Sequence, residues 1–258
     1  MLVRRPRPPL ALVYHGVCDV PVRRDRSSLF TRPSDLARHI DALRQWNYRF
    51  VTFGQLATCV SQGEADGLVS LTFDDGLQDN LTTLLPLLTA SGIPATVFVV
   101  AGWLGQRHPD APWAPIVTPD ELRALRSAGV EIGGHSMQHR RLTELPAVDA
   151  ARDMHDCRVL LEGILDVAVE SFAYPYGDAG TETMSACEAA GYRNACRAGG
   201  LGSWLEPFNL PRQSMGNRAS LVGLRLKRDD RYESFVRTLP GDLLRRSIRR
   251  ARWLGTAS

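Results

Sequence analysis

Two short segments carry residues that could do chemistry together: Thr72, Phe73, Asp74, Asp75, Gly76, and then His135, Ser136, Met137, Gln138, His139. Each follows a run that reads as a buried strand, so two imidazoles and a carboxylate could meet at one sheet edge, with a second carboxylate to spare. Neutral imidazole and carboxylate bind a borderline divalent cation such as zinc, and three protein ligands leave a position open for water and substrate. Histidines four apart fall on one face of a helical turn, whereas adjacent aspartates at a strand end point in different directions. One aspartate can then hold the cation while the other takes a proton. Singly, Asp-Asp-Gly is an ordinary turn sequence and a spaced histidine pair an ordinary surface feature. Their shared placement after strands sets them apart.

The elements that must position them alternate strand and helix. Leu10 to Tyr14 reads as a strand, Ser34 as the cap of a helix carrying Leu36, Ile40 and Leu43, and Phe50 to Thr52 as a short extended piece. Val69 to Phe73 leads into Asp74; Asn80 to Ala90 is a helix ended by Gly92; Ala95 to Val100 is nearly all apolar, like a parallel strand covered on both faces. Thr118, Pro119, Asp120 and Glu121 spell a capping box with proline at the first helical position, Gly129 closes that helix, and Val130 to Gly134 runs into His135. A helix near Val148 to Gly163, a strand at Ser171 to Tyr174, a helix at Glu182 to Ala190 stopped by Gly191, and late strands at Arg193 to Arg197 and Phe208 to Leu210 follow. Such units favour a parallel sheet, open or closed. His15, Asp74, Asp75, His135, Tyr176 and Arg212 each fall just past the C-terminal end of one of these strands or late segments. That is the edge where parallel α/β folds gather ligands.

With 258 residues and 44% hydrophobic content, the chain can bury one full core, and one α/β barrel is expected over residues 10–238. Residues 1–9 read as a basic lead and residues 239–258 as a basic helix or tail. No solenoid-period repeat, low-complexity segment or bilayer-length apolar run is seen. The apolar stretch behind the basic start lasts only from Leu10 to Tyr14, which argues against a secretory signal. Five scattered cysteines without a Cys-x-x-Cys pair suit a reducing compartment, so a cytoplasmic location is expected. The net charge of +3 is mild, yet Arg245, Arg246, Arg249, Arg250 and Arg252 crowd the C-terminal helix beside Leu243, Leu244, Ile248 and Trp253. That segment could pack its leucines on the barrel or rest peripherally on an anionic membrane. No nucleic-acid-binding module is recognised.

The segment Leu71 to Gly76, the pair His135 and His139, and Phe172, Ala173, Tyr174, Pro175, Tyr176, Gly177 resemble the first three motifs of the polysaccharide deacetylases, carbohydrate esterase family four, also called the NodB homology domain. They occur in that family's order and approximate spacing, over roughly residues 10–215. The resemblance implies a distorted (β/α) barrel of about seven parallel strands. It further implies that Asp75, His135 and His139 hold one divalent metal ion, zinc before cobalt, nickel, iron or manganese, while Asp74 is the general base on water attacking an acetyl carbonyl. The Tyr176 backbone N–H corresponds to the family's second oxyanion donor.

Two departures stand against that pattern. Many family members place an arginine in the third motif to steady the base, and here the position is Ala173; Arg212 is the candidate substitute, and a plain surface arginine the alternative. Members also carry a late histidine that protonates the leaving amine, whereas this chain has no histidine beyond His155. The opening strand ending in His15 looks like that late strand moved to the front. First and last strands are neighbours in a closed barrel, so His15 is the candidate acid. His39, His108 and His155 lack a strand-end context and are left out. The expected substrate is a saccharide containing N-acetylglucosamine, with a lipid-linked or precursor form favoured, and Trp103, Trp113 and Trp204 are candidate stacking residues. The alternatives are an amidohydrolase acting on a small cyclic amide and a catalytically weak carbohydrate-binding relative.

Overall fold

The computed structural model describes residues 7–229 apart from positions 22, 26, 217 and 218. The C-terminal basic segment at 239–258 lies outside the described residues. Seven parallel strands make the frame: β1 (Leu10–Tyr14), β2 (Leu68–Phe73), β3 (Thr96–Val99), β4 (Glu131–Gly134), β5 (Ser171–Ala173), β6 (Asn194–Cys196) and β7 (Gln213–Ser214). Their spatial order is β6-β5-β4-β3-β2-β1-β7. The last strand therefore lies beside the first, with Leu12 opposite Gln213 and Val13 opposite Ser214. A parallel bridge between Cys196 and Leu210 ties β6 to the chain entering β7, so the sheet curls back on itself. Phe208 to Leu210, read as a strand from sequence, is reduced to this bridge.

Side-chain alternation divides the core in two. Leu10, Leu12 and Tyr14, with Val97, Val99 and Phe172, face the surrounding helices. Ala11, Phe98, Ala173, Cys196 and Leu210 belong to a second cluster inside the barrel. Strands buried on both faces read as apolar runs for this reason. The interior is narrow: a Cβ added at Gly133 would lie 2.5 Å from the Phe98 ring, so only glycine lets that ring cross β4.

Among the described residues, seven helices accompany the strands: α1 (Pro33–Gln45), α2 (Phe53–Ser61), α3 (Leu85–Ser91), α4 (Pro119–Ser127), α5 (Ala147–Leu165), α6 (Thr181–Ala189) and α7 (Leu221–Arg228). Thr118 and Glu121 form the expected capping box of α4, and Gly92 ends α3 in the left-handed conformation. Helix α1 begins at Pro33 with Arg32 in the capping position, so Ser34 lies in its first turn and does not cap it. The helix expected from Asn80 opens as one wide turn over Asn80–Leu84 before α3. Helix α2 is not among the helices expected from sequence. Its start, a Thr52 and Gln55 capping box, is pinned to the beginnings of β3 and β4, with Phe53 N–H donating to Thr96 Oγ1 at 2.8 Å and Gly54 N–H to Glu131 Oε2 at 3.0 Å. It lays Phe53 and Leu56 on the interior cluster and plugs the N-terminal end of the barrel. The opposite, C-terminal end is left for chemistry.

Candidate metal centre and its carboxylate pair

The loops after β1, β2, β4 and β5 converge on that C-terminal mouth. Asp74 continues the strand ladder, its N–H bonded to Tyr14 O at 2.9 Å. Asp75 then turns into the left-handed region at φ 74°, followed by Gly76 at φ 75°. That reversal sends the two carboxylates apart. Ser136 (φ 68°), His139 (φ 53°) and Tyr176 (φ 61°) are left-handed as well. Such conformations typically cost about 1–3 kcal/mol each and gather where function demands a particular side-chain direction.

The two imidazoles meet by a different route from the helical turn that their spacing suggested. Residues 135–140 form no helix. The loop bends through Ser136, whose Oγ accepts from His139 N–H at 2.8 Å, and it is anchored by Asp153, which accepts from Met137 N–H at 2.8 Å. The His135 and His139 rings end 4.9 Å apart. His135 Nδ1 lies 2.7 Å from the Ala173 carbonyl, which can only accept; that nitrogen carries the proton and Nε2 keeps its lone pair. Ala173, without a side chain to steady the base, still orients a histidine through its backbone.

Asp75 is buried, and its Oδ1 has no hydrogen-bond partner. This oxygen lies 3.7 Å from His135 Nε2 and 3.6 Å from His139 Nε2. The three donor atoms lie within 4.8 Å of one another. An orphaned buried carboxylate oxygen facing two imidazole nitrogens fits a divalent cation, which would satisfy all three. Burial alone would raise the Asp75 pKa; the hydrogen bond from His108, then His15, His135 and His139 in their protonated forms, outweigh it and hold the carboxyl below its usual range. Burial, reinforced by His135, lowers His139 to about 4, so its ring is neutral at ordinary pH.

Asp74 is held differently. Arg212, wholly buried, donates from Nη1 to Oδ1 at 2.6 Å and from Nη2 to Oδ2 at 2.8 Å. Arg212 also reaches Thr72 Oγ1 at 2.8 Å and the Arg197 carbonyl at 3.2 Å. Burial again pushes the Asp74 pKa up, and the Arg212 charge overrides it, so the carboxyl stays ionised. Arg212 is thus no surface residue.

Of the other candidates, some lie at this mouth and others do not. His15 follows β1, half-buried, and its charge is felt by both aspartates. Its backbone is fixed by Asn80 Nδ2, which donates to His15 O at 3.1 Å, while Val17 N–H donates to Asp79 Oδ1 at 3.0 Å. Tyr176 is 57% exposed, with its ring 4.7 Å from His139 and under the Arg141 guanidinium. Trp103 packs 5.2 Å from His139. Trp113 lies one layer out against Phe30 and Arg24. Trp204 is elsewhere: it lines a cavity of about 220 Å³ with Gly54, Thr58, Glu170 and Asn194, at the plugged end of the barrel. A tryptophan in an irregular segment carries no signal of which end it will reach.

His108, which no strand end marks in the sequence, nevertheless lies at the site. His108, buried, places Nε2 3.1 Å from Asp75 Oδ2. It belongs to no barrel strand; it sits on a hairpin, Arg107–His108 with Ala111–Pro115, inserted after β3. The hairpin is stitched to the aspartate loop by Gln78 N–H to Pro115 O at 2.9 Å and Val117 N–H to Gly76 O at 3.0 Å. A rule restricted to strand ends could not find it.

Fold and site together define a parallel α/β barrel with an acid and imidazole cluster at its C-terminal mouth. The sequence model of the polysaccharide deacetylases matches residues 61–195, more than half of the chain, and the chain belongs to that family. Members of the family are hydrolases that act on acetylated carbohydrate. YxkH of Bacillus subtilis (strain 168) is 24% identical over 184 residues, covering 70% of this chain and 61% of its own. The chitin deacetylase of Colletotrichum lindemuthianum is 29% identical over 124 residues, covering 47% of this chain and 46% of its own. The chain thus spans about half to three-fifths of these curated relatives. Among solved structures, Streptococcus pyogenes deacetylase PplD in complex with acetate superposes with a TM-score of 0.73 at 20% identity, covering 85% of this chain and 97% of that one. IcaB from Ammonifex degensii gives 0.71 at 20% identity, covering 86% and 96%. At such identities these likenesses speak for the fold.

Proposed function

We propose that the protein is a metal-dependent deacetylase that hydrolyses the N-acetyl groups of a saccharide containing N-acetylglucosamine. The observation that carries this reading is the buried, unpartnered Asp75 Oδ1 between two imidazole nitrogens, with a separately held carboxylate alongside. Asp75, His135 and His139 would hold the cation. A divalent ion bound there supplies Lewis-acid polarisation of the acetyl carbonyl and makes water easier to deprotonate.

The chain's own residues account for the remaining steps. Asp74 takes a proton from the attacking water; Arg212 keeps it ionised and oriented, and each carboxylate oxygen retains a lone pair beyond its bond to arginine. The water oxygen bonds to the acyl carbon, and negative charge collects on the carbonyl oxygen, towards which the Tyr176 N–H donates. The C–N bond breaks, His15 supplies a proton to the departing amine, and acetate and a free amino sugar leave. Trp103, against His139, offers an aromatic wall for a sugar ring. A substrate bearing acetyl groups on a polysaccharide also matches the names of the relatives, two of which are chitin deacetylases.

The test is acetate release from N-acetylglucosamine oligomers by chelator-stripped and zinc-reconstituted protein, beside Asp74→Asn. Activity should vanish on stripping, return with zinc and be nearly absent in the variant. Wild-type turnover in the stripped protein or in the variant would refute the mechanism.

A further inference from the structure

We infer that His108 is a positioning residue that presets one oxygen of Asp75 for the cation. The inference rests on the metal site proposed above and adds to it a fourth side chain, delivered by the inserted hairpin. The Asp110 N–H donates to His108 Nδ1 at 3.1 Å, so Nδ1 carries the lone pair and the ring proton sits on Nε2. That Nε2–H points at Asp75 Oδ2, 3.1 Å away, and donates to it. With Oδ2 occupied, the carboxylate cannot rotate freely, and Oδ1 is left facing His135 and His139 without a partner. The Trp103 ring, edge-on at 5.3 Å, backs the imidazole and limits its swing.

A neutral donor is suited to this task where a cation is not. An arginine in the same place would neutralise Asp75 and compete with an incoming dication; an imidazole N–H fixes the geometry and leaves the full negative charge available. Groups of this kind behind metal ligands typically change affinity about 10–100-fold when removed.

The experiment uses apo protein titrated with zinc in competition with a chromophoric chelator, comparing wild type, His108→Phe and a His139→Ala control. Phenylalanine keeps a ring beside Trp103 and removes the Nε2–H donor, along with the Nδ1 acceptor of the Asp110 N–H. His108→Phe should bind zinc about 10–100-fold more weakly, and His139→Ala should lose tight binding. Undiminished zinc affinity in His108→Phe would overturn the inference while leaving the metal site standing; a wild type that binds no zinc would bring down both. Should the phenylalanine variant misfold, long-range nitrogen NMR of histidine-labelled wild type decides. His108 should be the Nε2–H tautomer with and without zinc, and an Nδ1–H tautomer or zinc ligation at His108 would reject the role.

Discussion

Asp74 and Asp75 are neighbours in sequence, equally buried, and surrounded by opposite chemistry. Around Asp74 both oxygens are taken by one guanidinium, so its charge is balanced inside the protein. Around Asp75 one oxygen meets an imidazole N–H and the other faces two imidazole nitrogens without a hydrogen-bond partner, so it lacks the direct guanidinium pair that Asp74 has. A carboxylate that must accept a proton needs to stay ionised and oriented without a cation of its own to coordinate. A carboxylate that must ligate needs its charge unspent. The left-handed turn at Asp75 separates the two surroundings within a single residue.

The comparison breaks most sharply under exchange of each acid for its amide. Asp74→Asn should keep zinc affinity within a few-fold while kcat falls on the order of 10²–10⁴, the usual worth of a positioned general base. Asp75→Asn should instead lose zinc affinity by more than the His108 substitution does, with activity following the metal. Equal loss of zinc binding in both variants, measured by chelator competition, would erase the division of labour.

Removing the balancing charge comes next. Arg212→Met leaves Asp74 buried and unpaired, and breaking one partner of a buried pair costs about 3–5 kcal/mol. The sign with pH is distinctive. In the wild type the lowered Asp74 pKa contributes stability above the unfolded value of 3.8 that is lost as pH falls through the folded one. Without Arg212 the burial penalty is opposed only by the weaker influence of His135 and His15, the carboxyl pKa rises, and the variant should regain stability on acidification. Thermal unfolding at pH 5 and pH 8 reads this; a variant whose deficit is the same at both would show that the pairing carries no such linkage.

How much of this was legible follows the same division. Asp74, Asp75, His135 and His139 stood out because parallel strands announce their C-terminal ends as apolar runs stopping at polar residues. Arg212 and His15 could be named from strand-end placement, and barrel closure implied that the last strand lies beside the first, although nothing in sequence shows that an arginine 138 residues from Asp74 will reach it through the barrel interior. The helical turn assumed for the histidine pair failed because local spacing does not register left-handed residues at Ser136 and His139. His108 was invisible because its position depends on a hairpin folding over the mouth, a tertiary event without periodicity. Helix α2 was missed where Thr52 and Gln55 did offer a capping signal.

A third carboxylate in the same loop sharpens the contrast with a smaller effect. Asp79 is half-buried, less enclosed than its two neighbours, and meets neutral donors, Val17 N–H at 3.0 Å and Asn80 Nδ2 at 3.1 Å, and it ligates nothing in the proposed site. Burial therefore prevails over those hydrogen bonds and raises its pKa from 3.8 to about 6. A raised carboxyl pKa means that the folded state prefers the proton: its stabilising contribution is full below about pH 3.8 and disappears as pH climbs through about 6. Asp79→Asn imitates the protonated acid, since its amide oxygen can accept both hydrogen bonds. The variant should match wild type near pH 4 and exceed it at pH 8 by roughly 1–2 kcal/mol, read as a higher unfolding temperature that no longer declines between pH 4 and 7 on account of this group. A variant less stable than wild type at pH 8 would mean that the ionised carboxylate, in holding the His15 to Val17 loop, contributes more than its burial costs.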